Sequence, residues 1–174
     1  LFAFRTSLRI STGIEVRGLP HSNLDGVEYM ERKDFTNDQF YQMMRDAQGV
    51  PTTAAITQLQ FCDIYARYAD EGYTDLVYLS INAGGSSTYN NAVKAMELLE
   101  EERPGYTMKI QVIDSHTYTM CYGYPVAEGA RMAAAGASVE EIAAYIQDWV
   151  DHVRVLFVPF DLKFAKKSGR SPPP

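Results

Sequence analysis

Asp75-Leu-Val-Tyr-Leu-Ser-Ile-Asn-Ala-Gly-Gly-Ser-Ser-Thr-Tyr-Asn90 is the stretch that decides the fold. Leu76 to Ile81 is almost unbroken apolar and lacks the polar alternation of a strand with one wet face. It therefore reads as the middle of a parallel sheet covered on both sides. Asn82 to Thr88 carries no bulky side chain. Gly84 and Gly85 permit positive φ and close backbone approach, while Ser86, Ser87 and Thr88 set hydroxyls beside the free N–H groups of a helix starting near Tyr89. Two readings stand side by side: a seat for a small anion, or a strand-to-helix turn whose serines only cap the helix.

Helices and strands are legible on both sides of this stretch. Thr36-Asn-Asp-Gln39 is a capping box, and Phe40, Met43 and Met44 then share one helical face; the helix should end near Gly49 and Pro51. Thr57-Gln-Leu-Gln60 opens a second helix with Phe61, Ile64, Tyr65 and Tyr68 as its buried stripe and Gly72 as its left-handed stop. The helix from about Tyr89 to Glu102 turns Ala92, Ala95, Met96 and Leu99 inward and ends at Pro104-Gly105. Met108 to Ile113 reads as the next strand, followed by the polar loop Asp114-Ser-His-Thr117. A helix carrying Val126, Ala130 and Ala133 stops at Gly136. Ser138-Val-Glu-Glu141 is a third capping box, with Ile142, Tyr145, Ile146, Trp149 and Val153 at helical spacing.

Val153 to Val158 reads as a third apolar strand. Three strands separated by helices imply right-handed crossovers: an α/β fold, a parallel sheet with helices on both faces. In such sheets ligands sit beyond the carboxyl ends of the strands, where Asn82 to Thr88 and Asp114 to Thr117 both belong. Nearer the N-terminus the pattern is weaker. Gly13-Ile-Glu-Val16 reads as a short strand, Asp25-Gly26 as a turn before Val27-Glu-Tyr29, and residues 1–12 give no clear pattern.

The length of 174 residues and an apolar content of 46% suffice for one well-buried domain. Sixteen Lys and Arg against 22 Asp and Glu leave a net charge of −6, which disfavours nucleic acid as a partner. Lys163, Lys166, Lys167 and Arg170 form a short basic cluster that fits a solvated face. No apolar run is long enough to cross a bilayer, the N-terminus lacks a signal-peptide pattern, and a cytoplasmic location is expected. Cys62 and Cys121 match neither a disulfide framework nor a metal motif, so they are expected to be reduced structural thiols.

The strand-end loops match no catalytic pattern. The P-loop lysine, the dinucleotide Gly-x-Gly-x-x-Gly and the hydrolase Gly-x-Ser-x-Gly are all missing, and no His, Cys or Asp spacing resembles a metal site. His116 and Cys121, five residues apart, could pair as imidazole and thiol, although a structural role for each is the ordinary expectation. What remains is a neutral, hydroxyl-rich seat for a singly charged group. A helix N-terminus contributes only about 0.3–2 kcal/mol to holding a carboxylate, whose desolvation costs several kcal/mol. Each buried methylene of an attached alkyl chain adds roughly 0.8 kcal/mol, so an amphiphile suits the seat better than a sugar or a nucleotide.

With these residues in view, the chain resembles the first domain of a DegV family protein. This is a fatty-acid-binding family that includes the acyl-carrying subunits of bacterial fatty acid kinase. The resemblance runs from about Gly13 to Arg170. It rests on Asp34-Phe-Thr-Asn-Asp-Gln-Phe-Tyr41, Pro51-Thr-Thr53 followed by a helix, Ser80-Ile-Asn-Ala-Gly-Gly-Ser-Ser-Thr-Tyr89, Val112-Ile-Asp-Ser115, Glu128-Gly-Ala-Arg131 and Lys166-Lys-Ser-Gly-Arg170. The resemblance implies a domain over 13–170, with 1–12 unassigned and 171–174 a Pro-rich tail. It implies a non-catalytic protein whose bound ligand is a long-chain fatty acid, with no cofactor and no metal, and whose partner is the catalytic subunit of a fatty acid kinase. It places the fatty acid carboxylate on Thr53 and Gly84, with Ala83, Ser86, Ser87 and Thr88 completing the loop and with His116 and Arg170 at the edge of the site.

Two departures qualify the resemblance. Ala83 stands where the family's loop has a carboxylate-holding serine, leaving Ser86, Ser87 or backbone N–H groups to compensate. Family members also continue past the Gly-Arg near residue 170 into a second domain that packs over the lipid, whereas the sequence here ends at Ser171-Pro-Pro-Pro174; a fragment, a curtailed product, or a missing half supplied by another chain is expected. Two alternatives to acyl binding are an enzyme acting on a small acid through His116 or Cys121, and a domain that folds but holds no ligand.

Overall fold

A computed structural model describes residues 2–4, 21–30, 34–156 and 158. In chain order the elements are β1 (Phe2–Phe4), β2 (His21–Leu24), β3 (Val27–Tyr29), α1 (Asn37–Asp46), β4 (Thr52–Ala54), α2 (Gln58–Asp70), β5 (Asp75–Ser80), α3 (Thr88–Glu102), β6 (Lys109–Asp114), α4 (Met120–Ala134) and α5 (Val139–His152). They fall into two compact units. The larger comprises Leu1–Val16 and Ile56–Val155, the smaller Arg17–Ala55 and Leu156–Pro174.

The larger unit is built on β5. It pairs in parallel with β6, from Asp75 opposite Lys109 to Ser80 opposite Asp114, and antiparallel with β1, giving the order β1-β5-β6. Successive side chains of a strand point to opposite faces, and both faces of β5 are covered. Leu76 and Tyr78 join a core with Phe61, Ile64, Tyr65 and Tyr68 of α2 and Ala92, Ala95 and Leu99 of α3. Val77 and Leu79 join a second core with Ala130 and Ala133 of α4 and Ile142, Ile146 and Val150 of α5. That two-sided burial is why the strand is apolar at every turn of the pleat, and it bears out the α/β sheet with helices on both faces.

Three of the helices start as their sequences dictate. Thr36 with Gln39, Thr57 with Gln60 and Ser138 with Glu141 each form a reciprocal capping box. Gly72 and Gly136 stop α2 and α4 at φ of 80° and 92°. Pro125 lies inside α4 and has no N–H to give the carbonyl of Cys121 four residues back; the Trp149 indole N–H donates to that carbonyl instead, at 2.8 Å.

The expected third strand, Val153 to Val158, is not formed. α5 runs to His152, and the Val153 N–H closes it on the Trp149 carbonyl at 2.8 Å. Residues 153–156 are irregular, and Leu156 and Val158 are almost fully exposed. An apolar run is not a strand without a neighbour to pair with, and β6 gains no such partner among the described residues. The sheet is consequently a parallel pair plus β1, which lies in the stretch whose sequence showed no pattern. The strand expected at Gly13 to Val16 lies outside the described residues.

The smaller unit holds a second sheet of order β3-β2-β4, antiparallel throughout. Asp25 and Gly26, at φ of 49° and 87°, make the tight turn between β2 and β3 that a right-twisted hairpin prefers. The Asp25 carboxylate accepts from the N–H groups of Gln48 at 2.9 Å and Gly49 at 2.7 Å, tying this turn to the segment after α1. Phe35 stacks on Phe40 of α1 with ring centres 4.9 Å apart.

Candidate functional site

The register of β5 on β6 sets Ser80 beside Asp114, so the two loops leaving the sheet at this end run side by side. They are stitched together by backbone. The Asn82 N–H donates to the Thr117 carbonyl at 3.1 Å, and the Ser115 N–H to the Ser80 carbonyl at 3.1 Å. Asp114 completes the link: its Oδ1 accepts from the N–H of Ala83 and from the N–H of His116, both at 3.0 Å, and its Oδ2 lies 3.0 Å from His116 Nδ1.

The loop from Asn82 to Thr88 is held by its own polar groups. Asn82 Oδ1 accepts from the Gly84 N–H at 2.9 Å, and Asn82 Nδ2 donates to the Tyr118 hydroxyl at 3.0 Å. Neither Gly84 nor Gly85 adopts positive φ. The positive φ that glycine permits at 84 and 85 is therefore not used. Space is the reason for glycine at 85, where a Cβ would run into the Tyr118 hydroxyl. Ser86 Oγ accepts from the Thr88 N–H at 3.3 Å and shares a hydrogen bond with Thr88 Oγ1 at 2.8 Å.

The N-terminus of α3 differs from those of the three boxed helices. Ser87 occupies the capping position, but its side chain makes no capping bond, and the first helical bond is from the Asn91 N–H to the Ser87 carbonyl at 2.9 Å. Among the described residues the N–H groups of Tyr89 and Asn90 have no side-chain acceptor, at the positive end of a 15-residue helix. Of the two readings of the serines, simple capping fails for Ser87. An anion could be met here by two backbone donors and the Ser86 and Ser87 hydroxyls.

Ala83, Gly84, Ser86, Ser87, Thr88 and His116 are thus gathered at one end of the sheet. Thr88 is buried, Ala83 and Ser86 half-buried, Gly84 and Ser87 exposed. Thr53 is exposed and belongs to the smaller unit, in β4, with its backbone opposite Ser22 of β2. It was expected in a loop that caps a helix; it is in an edge strand instead, and the α2 cap is Thr57. Arg170 lies outside the described residues. Cys62 is buried against Glu102, and its thiol is pushed up by burial and by that carboxylate. Among the described residues no group of three or more His, Cys, Asp or Glu is arranged to hold a metal, and no helix is long and apolar enough to cross a membrane.

Sequence reasoning missed Asn82, Asp114 and Tyr118 as the frame of the loop. Asp114 left a trace, an acid closing an apolar strand next to a parallel partner. Tyr118 left none, because its contact with Gly85 and Asn82 exists only after β5 and β6 pair.

The profile of the DegV family of uncharacterised proteins matches residues 11–172. A DegV domain-containing protein of Caldanaerobacter subterraneus subsp. tengcongensis is 28% identical over 85% of this chain and 50% of its own length. The chain thus spans about half the length of the curated relatives it matches. Two similar solved structures are a DegV family protein from Thermus thermophilus described for its fatty acid binding and a stearic-acid-binding protein from Eubacterium ventriosum. The first is 25% identical with a TM-score of 0.62, over 75% of this chain and 44% of that one. The second is 27% identical with a TM-score of 0.65, over 74% and 44%. The Fatty Acid Kinase B3 protein of Streptococcus pneumoniae, loaded with linoleic acid, is 19% identical with a TM-score of 0.64 over 75% and 44%, a likeness of fold alone. With the family profile matched over residues 11–172 and the fold shared with these structures, the chain belongs to the DegV family.

Proposed function

We propose that this chain binds a long-chain fatty acid without transforming it, seating the carboxylate at the start of α3. The observation that carries the reading is the start of α3, where Ser87 makes no capping bond and Ser86 accepts from the Thr88 N–H, in a family with two members of 25 and 27% identity described as fatty-acid binding. Tyr89 and Asn90 N–H groups and the Ser86 and Ser87 hydroxyls are the donors. Ala83 and Gly84 shape the loop through backbone bonds already made to Asp114 and Asn82. The head group fixes position while the alkyl chain supplies most of the affinity, at roughly 0.8 kcal/mol per buried methylene.

The bound acid is presented to a partner kinase, in the cytoplasm, with the rest of a relative's length covering the acyl chain. The likeness to the kinase-associated protein is of fold, so this partner belongs to the proposal. His116 held by Asp114 favours one competing reading, an enzyme using that imidazole. Native mass spectrometry of the chain purified from cells separates them. A bound mass in the long-chain fatty acid range, with no hydrolase, oxidoreductase or phosphotransferase turnover, is the expected result. A ligand-free protein with turnover abolished by His116→Ala or Cys121→Ser would overturn the proposal.

A further inference from the structure

The seat for the head group is short of donors. Ala83 has no hydroxyl, and the N–H groups of Ala83 and Gly84 already donate to Asp114 and Asn82. Among the described residues at this end of the sheet, His116 is a group that could add one. Its backbone, at φ 52°, and its ring are both held by Asp114: the N–H donates to Oδ1, and Nδ1 lies 3.0 Å from Oδ2. The same Oδ1 accepts the Ala83 N–H, so one carboxylate links the imidazole to the ligand loop.

That arrangement biases the chemistry of the other ring nitrogen. An ionised carboxylate 3.0 Å from Nδ1 favours the neutral tautomer that carries its proton on Nδ1. In the neutral ring Nε2 is then a lone pair that repels an anion; in the imidazolium it is a donor with positive charge behind it. The ring is 71% exposed, and Nε2 has no partner among the described residues. Among the described residues the titratable groups around it are few. Asp114 holds it and Tyr118 follows it on the loop. The first turns of α3 and α4 contain no acid and contribute Tyr89, Cys121 and Tyr122, with the Tyr122 phenol pushed up by burial.

We propose that His116 is a protonation-dependent donor to the carboxylate of the acyl ligand, so that the chain holds fatty acid more tightly when this imidazole is charged. The proposal rests on the fatty-acid reading and adds a pH-dependent grip to it. An exposed ion pair of this kind supports a change on the order of fivefold in Kd between the two ring states. By linkage, the ligand must favour the protonated ring by the same factor.

The test compares the full chain with His116→Asn. Asparagine tolerates the left-handed backbone at 116, and the side chain is exposed, so the fold is preserved. Stearate is titrated from pH 8.5 down to pH 5.5 in both proteins, and the His116 ring carbon is followed by NMR with and without saturating stearate. The expected result is roughly fivefold tighter binding at low pH that is absent in His116→Asn, together with a His116 titration midpoint moved to higher pH by stearate. The subtraction removes the titration of stearate itself. Equal pH dependence in the two proteins, or an unmoved midpoint while stearate is bound, overturns the role of His116 and leaves the fatty-acid reading standing. Failure of the unmodified chain to take up stearate at any pH overturns both.

Discussion

Asp114 organises the candidate site more than any hydroxyl in the loop does, because one carboxylate meets the Ala83 N–H, the His116 N–H and the His116 ring. The residues flanking it carry two predictions. At position 83, Ala83→Ser adds a hydroxyl donor, and a hydrogen bond to a charged group contributes about 1.5–3 kcal/mol where water is excluded. With the remaining half of a relative appended, the substitution should tighten stearate binding at least tenfold; in the 174-residue chain, with the head group wet, calorimetry should register little change. Equal gains in both would show that coverage is irrelevant. Asp25 supplies a prediction for the smaller unit. The N–H groups of Gln48 and Gly49 hold its carboxyl below the ordinary aspartate range. A carboxyl whose folded value is depressed stabilises the fold above its unfolded value, and that contribution is lost as pH falls through the folded value. Asp25→Asn should therefore speed amide exchange in residues 45–55 at pH 7 and make no difference below the aspartate range; a gap that persists in acid would contradict this assignment. Single residues were the least legible scale. The hydroxyls of 86–88 are visible in the sequence, whereas the bonds Asn82, Asp114 and Tyr118 make depend on which strands become neighbours.

Elements were more legible, since capping boxes and apolar stripes are local chemistry. α1, α2 and α5 begin where Thr36, Thr57 and Ser138 place them, and the buried faces of α2, α3 and α5 follow the expected spacing. The third strand failed because Val153 to Val158 has the composition of a strand but no partner, and β4 was missed because three residues give no period to read. The α4–α5 packing carries a test. Pro125 leaves the Cys121 carbonyl without its helical donor, and the Trp149 indole N–H takes that place. Trp149→Phe should cost about 1–3 kcal/mol beyond the change in packing. In the background of Pro125→Ala a helical N–H can reach Cys121, and the cost should shrink. A double-mutant cycle in urea measures this coupling, and additive effects would show that the indole is not serving the orphaned carbonyl.

At the scale of the whole molecule, the two cores on opposite faces of β5 were readable from one unalternating strand, and the placement of a ligand seat at the carboxyl end of β5 and β6 follows from parallel pairing. The division into two compact units was not readable, because β2, β3 and β4 are short and their pairing is set by the Asp25-Gly26 turn and not by hydrophobic period. Thr53 lies in one unit and the 82–88 loop in the other. The chain spans about half the length of the relatives it matches. The central claim is narrower than the whole ligand: a fatty acid carboxylate sits on the Tyr89 and Asn90 N–H groups at the start of α3. NMR of the ¹⁵N-labelled chain during titration with stearate tests it directly, since backbone amides report even weak contact. The account predicts saturating shifts concentrated at the amides of Ser86 to Asn90 and absent when methyl stearate, which lacks the charge, replaces the acid. Shifts that avoid these amides, or that are identical for acid and ester, would contradict it.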